Sequence, residues 1–388
     1  MNRTNCRPEM FRAESERMRE RMRVGINKLG FGFLRLPETA GEPDWRTIAE
    51  LTDIFLDEGG RWFDTFYTYM NGRSEEAVRR CVTERLPRDR FRLIEKLPGY
   101  LCGSYEDCGR YFREEQRRCG TDYFDIYMLH WLNRENYETA ERVDEFRFLR
   151  EVKEGGYAGR IGFSWHDSAS LLDTVLSRHP EVDVVLLQIN YLDWESAGIE
   201  SRKCYETALR HGKSVFVMEP VKGGTLSRLP PEAEKILRRQ DPERTPSDWA
   251  LRFVQSLPGV EICLSGMNRA EHVRANLAPF PLLTEAETDA LRKVAEVLRK
   301  DGGIPCTGCR YCVSHCPKHI SIPDVLGMYN EMQRWPEEDW KIRPVYEQTV
   351  KTRGKASECI GCGSCEKHCP QHIHIPEWMG RAAQMLER

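Results

Sequence analysis

Between Gly30 and Met267, short apolar runs alternate with longer stretches in which apolar residues recur every three or four positions among charged ones. The short runs read as strands: Leu29–Leu34, Trp62–Phe66, Phe91–Lys96, Phe124–His130, Ile161–Ser164, Val182–Asn190, Ser214–Glu219 and Glu261–Ser265. Helical spacing fills the intervals, as in Ile48, Leu51, Ile54 and Phe55, in Glu76 to Arg85, in Phe146, Leu149 and Val152, and in Leu171, Leu172 and Val175. Eight strand–helix units imply parallel strands with crossover helices. Eight units in roughly 240 residues suit a (β/α)8 TIM barrel. An open doubly wound sheet is the runner-up, but no G-x-G-x-x-G follows the first strand. A further helix is predicted over Thr284–Lys300, with Ala286, Leu291, Val294 and Leu298 on one face; Asp301-Gly302-Gly303 ends it. The predicted organisation is therefore a barrel over 1–300 and a small, partly helical domain over 301–388.

The second domain carries two cysteine runs, Cys306, Cys309, Cys312 and Cys316-Pro317, then Cys359, Cys362, Cys365 and Cys369-Pro370. Both read C-x2-C-x2-C-x3-C-P, with a shared His-Ile-x-Ile-Pro tail, at an offset of 53 residues. Three closely spaced thiolates suit three corners of an iron–sulfur cube, and the fourth cysteine of such a run serves the other cluster. One [4Fe-4S] cluster is thus assigned to Cys306, Cys309, Cys312 and Cys369, and a second to Cys359, Cys362, Cys365 and Cys316. Zinc competes for C-x2-C pairs, but two evenly spaced sets of four, each followed by Pro, favour iron–sulfur. The segment resembles a bacterial-type two-cluster ferredoxin domain. The 42 residues between Cys316 and Cys359 hold a helical pattern at Val325–Met332 and two tryptophans, Trp335 and Trp340; this insertion is expected to cover the clusters or pack on the barrel.

Composition narrows the function classes. Of 388 residues, 58 are basic and 61 acidic, a balance that gives no reason to expect nucleic-acid or membrane partners. No apolar run approaches the roughly 18 residues of a spanning helix. Met1 to Arg23 is polar, without the apolar core of a secretion signal, and the clusters favour a reducing compartment, so a cytoplasmic location is expected. The other seven cysteines (Cys6, Cys81, Cys102, Cys108, Cys119, Cys204 and Cys263) are scattered and read mostly as small hydrophobes. Cys102, Cys108 and Cys119 are near one another in sequence, but no C-x2-C pair supports a third metal site there.

Barrels of this type build active sites at the C-terminal ends of their strands. There the sequence places Asp64 and Tyr69 after the second strand, Lys96 on the third and His130 on the fourth. A phenol beside an ammonium can protonate a carbonyl oxygen. Its ordinary pKa of about 10 is high for that task, and a neighbouring Lys96 favours the phenolate. Asp64 would hold Lys96, and His130 would orient the substrate oxygen. Taken singly, each has an ordinary reading: a cap, a packing ring, a solvated lysine, a core histidine. Their joint placement on three successive strand ends favours catalysis.

The run Phe63-Asp64-Thr65 through Tyr69 to Gly72-Arg73-Ser74-Glu75 resembles the aldo-keto reductase signature, with Lys96 and His130 where that family carries its other two tetrad members. Leu29-Gly30-Phe31-Gly32, Ile161–Ser164, Gln188–Tyr191, Glu219–Gly224 and Ser265–Asn276 resemble family blocks, so the likeness runs from about Gly30 to Pro279. It implies an NAD(P)H-linked carbonyl reductase. By that likeness Ser164 and Gln188 hold the nicotinamide amide, Lys222, Gly223 and Gly224 meet the pyrophosphate, and Ser265, Gly266, Arg269 and Asn276 meet the adenosine end. The sequence departs from the pattern at Trp165, at Met218, where many members stack an aromatic ring, and at Gly266, Met267 and His272, where many bind a 2′-phosphate.

A hydride carries two electrons and a cubane passes one. Two arrangements reconcile them. In one, NAD(P)H binds the barrel and the clusters serve another partner or stability; the resemblance favours this one. In the other, FMN sits in the barrel and the clusters feed it from a ferredoxin-like donor. A non-catalytic electron-transfer subunit is the third reading, and the retained tetrad speaks against it. Phe66, Tyr67, Tyr100, Trp131 and Trp165 would give the mouth aromatic walls, suited to a planar or apolar carbonyl or an activated alkene.

Overall fold

The computed structural model describes residues 28–278, 281–300 and 302–387. Met1 to Arg23 with Cys6, as well as Pro279 and Asp301, lie outside the described residues.

All eight expected strands form: β1 (Leu29–Gly32), β2 (Trp62–Asp64), β3 (Arg92–Leu97), β4 (Phe124–Leu132), β5 (Ala158–Trp165), β6 (Val184–Gln188), β7 (Ser214–Met218) and β8 (Val260–Ser265). Each pairs in parallel with the next, and β8 pairs with β1 (Leu29↔Cys263), closing a barrel. Parallel strands are covered on both faces, which is why β4 and β6 are buried along their whole length. Inside, Ile94, Ile126, Met128, Val184, Leu186, Phe216, Ile262 and Leu264 form a packed layer, with Met218 against it. Gly162 permits a close strand approach, since a Cβ there would stand 2.3 Å from the Val184 carbonyl oxygen.

The helices follow from caps and apolar stripes. Helix Trp45–Asp57 starts at Asp44, whose carboxylate accepts the Thr47 N–H (3.0 Å), and buries Ile48, Leu51 and Phe55. Helix Tyr105–Cys119 opens on a Ser104/Asp107 capping box and stops at Gly120, whose φ of 65° is left-handed. Two expectations shift. The helical stretch from Glu76 begins as an α-helix at Ser74–Val78 and then widens to a π-turn at Arg79–Thr83, where the Thr83 hydroxyl donates to the Arg79 carbonyl (3.3 Å). Helix Glu285–Lys300 buries Leu291, Val294 and Leu298 as expected, but Ala286 sits exposed in the first turn and Ala290 takes its place.

The chain forms two compact units. One runs through Pro220 and resumes at Ala250–Leu283, containing every barrel strand; the other comprises Val221–Trp249 and the chain from Thr284 onward. In the second unit, helix Pro231–Arg238 packs on Glu285–Lys300, and Ile322–Arg334 packs on Ile375–Leu386. Between the cysteine runs stand helices Ile322–Arg334 and Asp339–Thr349. Trp335 is buried under the Arg228 guanidinium (3.7 Å), which also pairs with Glu338 at 3.2 Å, whereas Trp340 is exposed. Among the described residues, no helix is long and apolar enough to cross a membrane.

Candidate active site and cysteine centre

Asp64 is the last residue of β2 and is buried. Five residues on, Tyr69 enters a tight turn in which Met70, Asn71 and Gly72 all have left-handed φ (52°, 56° and 85°). That reversal sends the chain into the helix at Ser74 while leaving Tyr69 packed edge-on against Phe66, ring centroids 5.2 Å apart. The turn is anchored through Ser74, whose Oγ lies 2.6 Å from Thr65 Oγ1 and donates to the Phe33 carbonyl at 3.0 Å. Glu75 is pinned by Arg118 (3.0 Å). The Gly-Arg-Ser-Glu stretch thus serves to hold Tyr69 in place.

Lys96, fully buried on β3, donates from Nζ to Asp64 Oδ1 (2.5 Å) and to the Thr65 carbonyl (2.8 Å), and lies 5.2 Å from the Tyr69 ring centre. Burial alone would lower the Lys96 ammonium; the Asp64 carboxylate and the Tyr69 phenol reverse this and hold it above its ordinary value. Burial drives the Asp64 carboxyl upward, against the pull of Lys96.

His130 is aimed by a bulge. The β4–β5 register slips between Leu129↔Phe163 and Leu132↔Trp165, and Trp131 takes φ 60°. The Trp131 N–H donates to Ser164 Oγ at 2.6 Å. His130 stacks on Phe66 (3.7 Å between centroids) and stands 6.2 Å from the Tyr69 ring. Burial, then the Lys96 and His166 charges, push the imidazole well below its ordinary value, so it is neutral at neutral pH.

The four expected tetrad residues therefore converge. Their surroundings include residues that sequence reasoning passed over. Gln188 Nε2, expected at a nicotinamide, donates to buried Asp193 (2.8 Å), as does Asn190 (2.9 Å). Asp193 follows an Asx turn, in which Asn190 Oδ1 accepts the Leu192 and Asp193 N–H groups; that local pattern was the available signal. Arg35, after β1, pairs with Glu219, after β7, at 3.1 Å. Ser265 ends β8 and is buried, Gly266 follows it, Arg269 precedes helix Ala270–Leu277, and Asn276 is buried within that helix. Lys222, Gly223 and Gly224 belong to the second unit, where all three have left-handed φ. A Cβ on Gly223 would stand 2.2 Å from the Thr307 carbonyl oxygen, so this loop packs directly on the first cysteine run.

The cysteine runs enclose two cavities. One is lined by Cys306, Cys309, Cys312 and Cys369, the other by Cys316, Cys359, Cys362 and Cys365. Each takes three thiols from one run and the fourth from the other, and Ile322 and Ile375 line both. The repeat is visible in the backbone: Gly308 and Gly361 have φ 69° and 69°, and His319 and His372 have φ 51° and 52°. His315 and His368, equivalent across the repeat, stack at 3.5 Å. Four soft donors per apolar cavity fit an iron–sulfur cube. Among the described residues, the metal-capable set with donors within 4.8 Å of one another is Glu75, Glu95 and Cys119; neither cavity's thiols form so tight a group, as one zinc ion with bonds of about 2.3 Å would require. Nor do Cys102 and Cys108 join Cys119 in such a group.

Comparison with known proteins agrees for the barrel and for the cysteine runs. Residues 28–296 match the model of the aldo/keto reductase family, and residues 305–374 match that of a 4Fe-4S dicluster domain. An aldo-keto reductase of Mycobacterium avium is 26% identical over 233 residues, covering 60% of this chain and 75% of its own. A crystal structure of an aldo-keto reductase from Klebsiella pneumoniae in complex with NADPH superposes with a TM-score of 0.56 at 21% identity, covering 70% of this chain and 91% of that one. The holo form of an aldo-keto reductase from Bacillus halodurans gives 0.56 at 23% identity, covering 69% and 92%. These two likenesses concern the fold.

Proposed function

The chain belongs to the aldo/keto reductase family, and we propose that it reduces a carbonyl group, or an alkene activated by one, at the mouth of its barrel. It is an oxidoreductase with an iron–sulfur domain. The observation that carries the reading is the buried Lys96 ammonium, 2.5 Å from Asp64 and 5.2 Å from the Tyr69 ring. Tyr69 donates its phenolic proton to the substrate oxygen. Lys96 favours the phenolate left behind, Asp64 fixes Lys96, and neutral His130 offers an N–H to the same oxygen. NAD(P)H supplies the hydride when bound. The buried polar side chains of Ser164, Gln188, Ser265 and Asn276 are the residues we assign to hold it, which fits their place at and after the strand ends. We assign one [4Fe-4S] cluster to Cys306, Cys309, Cys312 and Cys369 and a second to Cys316, Cys359, Cys362 and Cys365; when bound, they would supply single-electron transfer.

The test is Tyr69→Phe, assayed anaerobically with NADPH and NADH. Carbonyl turnover is expected to fall by about 10²–10⁴, with iron content and cluster absorbance unchanged. Undiminished turnover would remove Tyr69 as the acid. The two cysteine cavities, whose clusters would pass one electron at a time, favour a second reading, in which they would feed a barrel-bound flavin such as FMN from a ferredoxin-like donor. Stoichiometric flavin released on denaturation, with activity from reduced ferredoxin and none from either nicotinamide, would select it.

A further inference from the structure

The two cysteine cavities have different surroundings. The first abuts the loop that follows β7, since Thr307 lines it and Gly223 packs on Thr307. The second has exposed residues in its lining. Among the eight cysteines of the two runs, Cys362 alone is exposed, and Ile360, which lines the same cavity, is 61% exposed. Two backbone segments meet beside it through the parallel bridge Ile320↔Gly354, where the Gly354 N–H donates to the His319 carbonyl at 3.2 Å. That pairing brings Lys318, which also lines the cavity, alongside Lys351, Arg353 and Lys355, all of them exposed. Neither 317–320 nor 350–355 contains an acid. The nearest in sequence are Glu358, whose carboxylate accepts the Lys355 N–H (3.2 Å), and Glu347, one turn before Lys351.

We propose that this face is the docking surface of an acidic one-electron carrier protein, and that electrons enter the chain through the second cavity. The proposal rests on the cluster reading above. A small apolar centre at Ile360 beside a mainly basic patch, with Glu358 and Glu387 at its Lys355 end, suits a brief encounter better than a stable complex. Charge then acts mainly on the association rate. The transfer balances without bond changes: the carrier loses one electron, and the cluster held by Cys316, Cys359, Cys362 and Cys365 gains it. From there the electron passes to the cluster held by Cys306, Cys309, Cys312 and Cys369.

The experiment is anaerobic stopped-flow reduction of the holoprotein by a pre-reduced acidic two-cluster ferredoxin, compared with photoreduced deazariboflavin, an uncharged reductant. The double variant Lys351→Glu/Arg353→Glu keeps clear of the cysteines; Arg292→Glu/Lys293→Glu, on helix Glu285–Lys300, is the control. The second-order rate with ferredoxin is expected to fall at least about tenfold in the first variant, to fall with added salt in the wild type, and to be unchanged in the control. The deazariboflavin rate should be the same in all three. A ferredoxin rate equal in the wild type and the first variant, or lowered equally by both variants, overturns the docking face alone. A wild type that deazariboflavin cannot reduce overturns the cluster reading itself. Oligonucleotide binding abolished by the first variant, with ferredoxin rates unaffected, would reassign the face to nucleic acid.

Discussion

The barrel mouth and the cysteine centre both depend on mutual support, but they achieve it differently. At the mouth, four side chains come from positions as far apart as Asp64 and His130, and each is held by the charge or ring of another: Lys96 by Asp64, His130 by Phe66. In the cysteine centre the donors lie close in sequence and are duplicated, and the dependence lies in the crossing, each cavity borrowing one thiol from the other run. A site built from buried charge fails when one partner is removed, whereas a site built by crossed repeats fails in halves.

Removing Lys96 is the strongest way to break that contrast. Lys96→Met leaves Asp64 buried without its cation. It should abolish turnover and cost about 3–5 kcal/mol, read from the denaturant midpoint. Adding Asp64→Leu should restore stability but not activity. If Lys96→Met alone were as stable as the wild type, the mouth would not be held by charge.

Crossed ligation is tested next. Cys369→Ala and Cys306→Ala should remove the same cluster, each losing about half the iron and leaving the same residual spectrum, because both thiols line one cavity. If Cys369→Ala instead matched Cys359→Ala, each run would ligate on its own and the crossing would be wrong.

An effect on stability alone, with none expected on turnover, concerns a buried acid outside the tetrad. Glu145 is buried against Gly99, and burial raises its carboxyl from 4.5 to about 8. The unfolded chain gives up that proton near 4.5 while the folded chain keeps it to about 8, so stability falls as pH rises through that window, by about 1.4 kcal/mol per unit. Glu75, raised to about 7 by burial, contributes in the same sense. Glu145→Gln should therefore match the wild type near pH 4 and exceed it in stability at pH 9. Parallel stability curves for the two proteins would sink the assignment.

How much was legible followed from how local each signal was. The cysteine pattern prescribes its own geometry, and the crossed thiol sets follow from spacing alone. The eight strands were legible because each is a short apolar run between amphipathic ones. Asp64, Tyr69, Lys96 and His130 were legible only jointly, with the barrel as the frame that brings strand ends together. What escaped was set by tertiary pairing. No periodicity reveals that Gln188 turns to Asp193, that Arg35 reaches Glu219 across 184 residues, or that Gly223 faces Thr307. The bulge at Trp131 likewise leaves no mark in composition, since it is a backbone answer to the β4–β5 register.

One consequence concerns inheritance. The peptide passes between the two units three times, after Pro220, Trp249 and Leu283. A module appended to the end of an older enzyme would need one such passage. Here the excursion Val221–Trp249 between β7 and β8 clusters with the chain from Thr284 onward, so the two compact units do not divide at a single point of the sequence. Cutting after Trp249 or after Leu283 would separate helix Pro231–Arg238 from helix Glu285–Lys300, on which it packs.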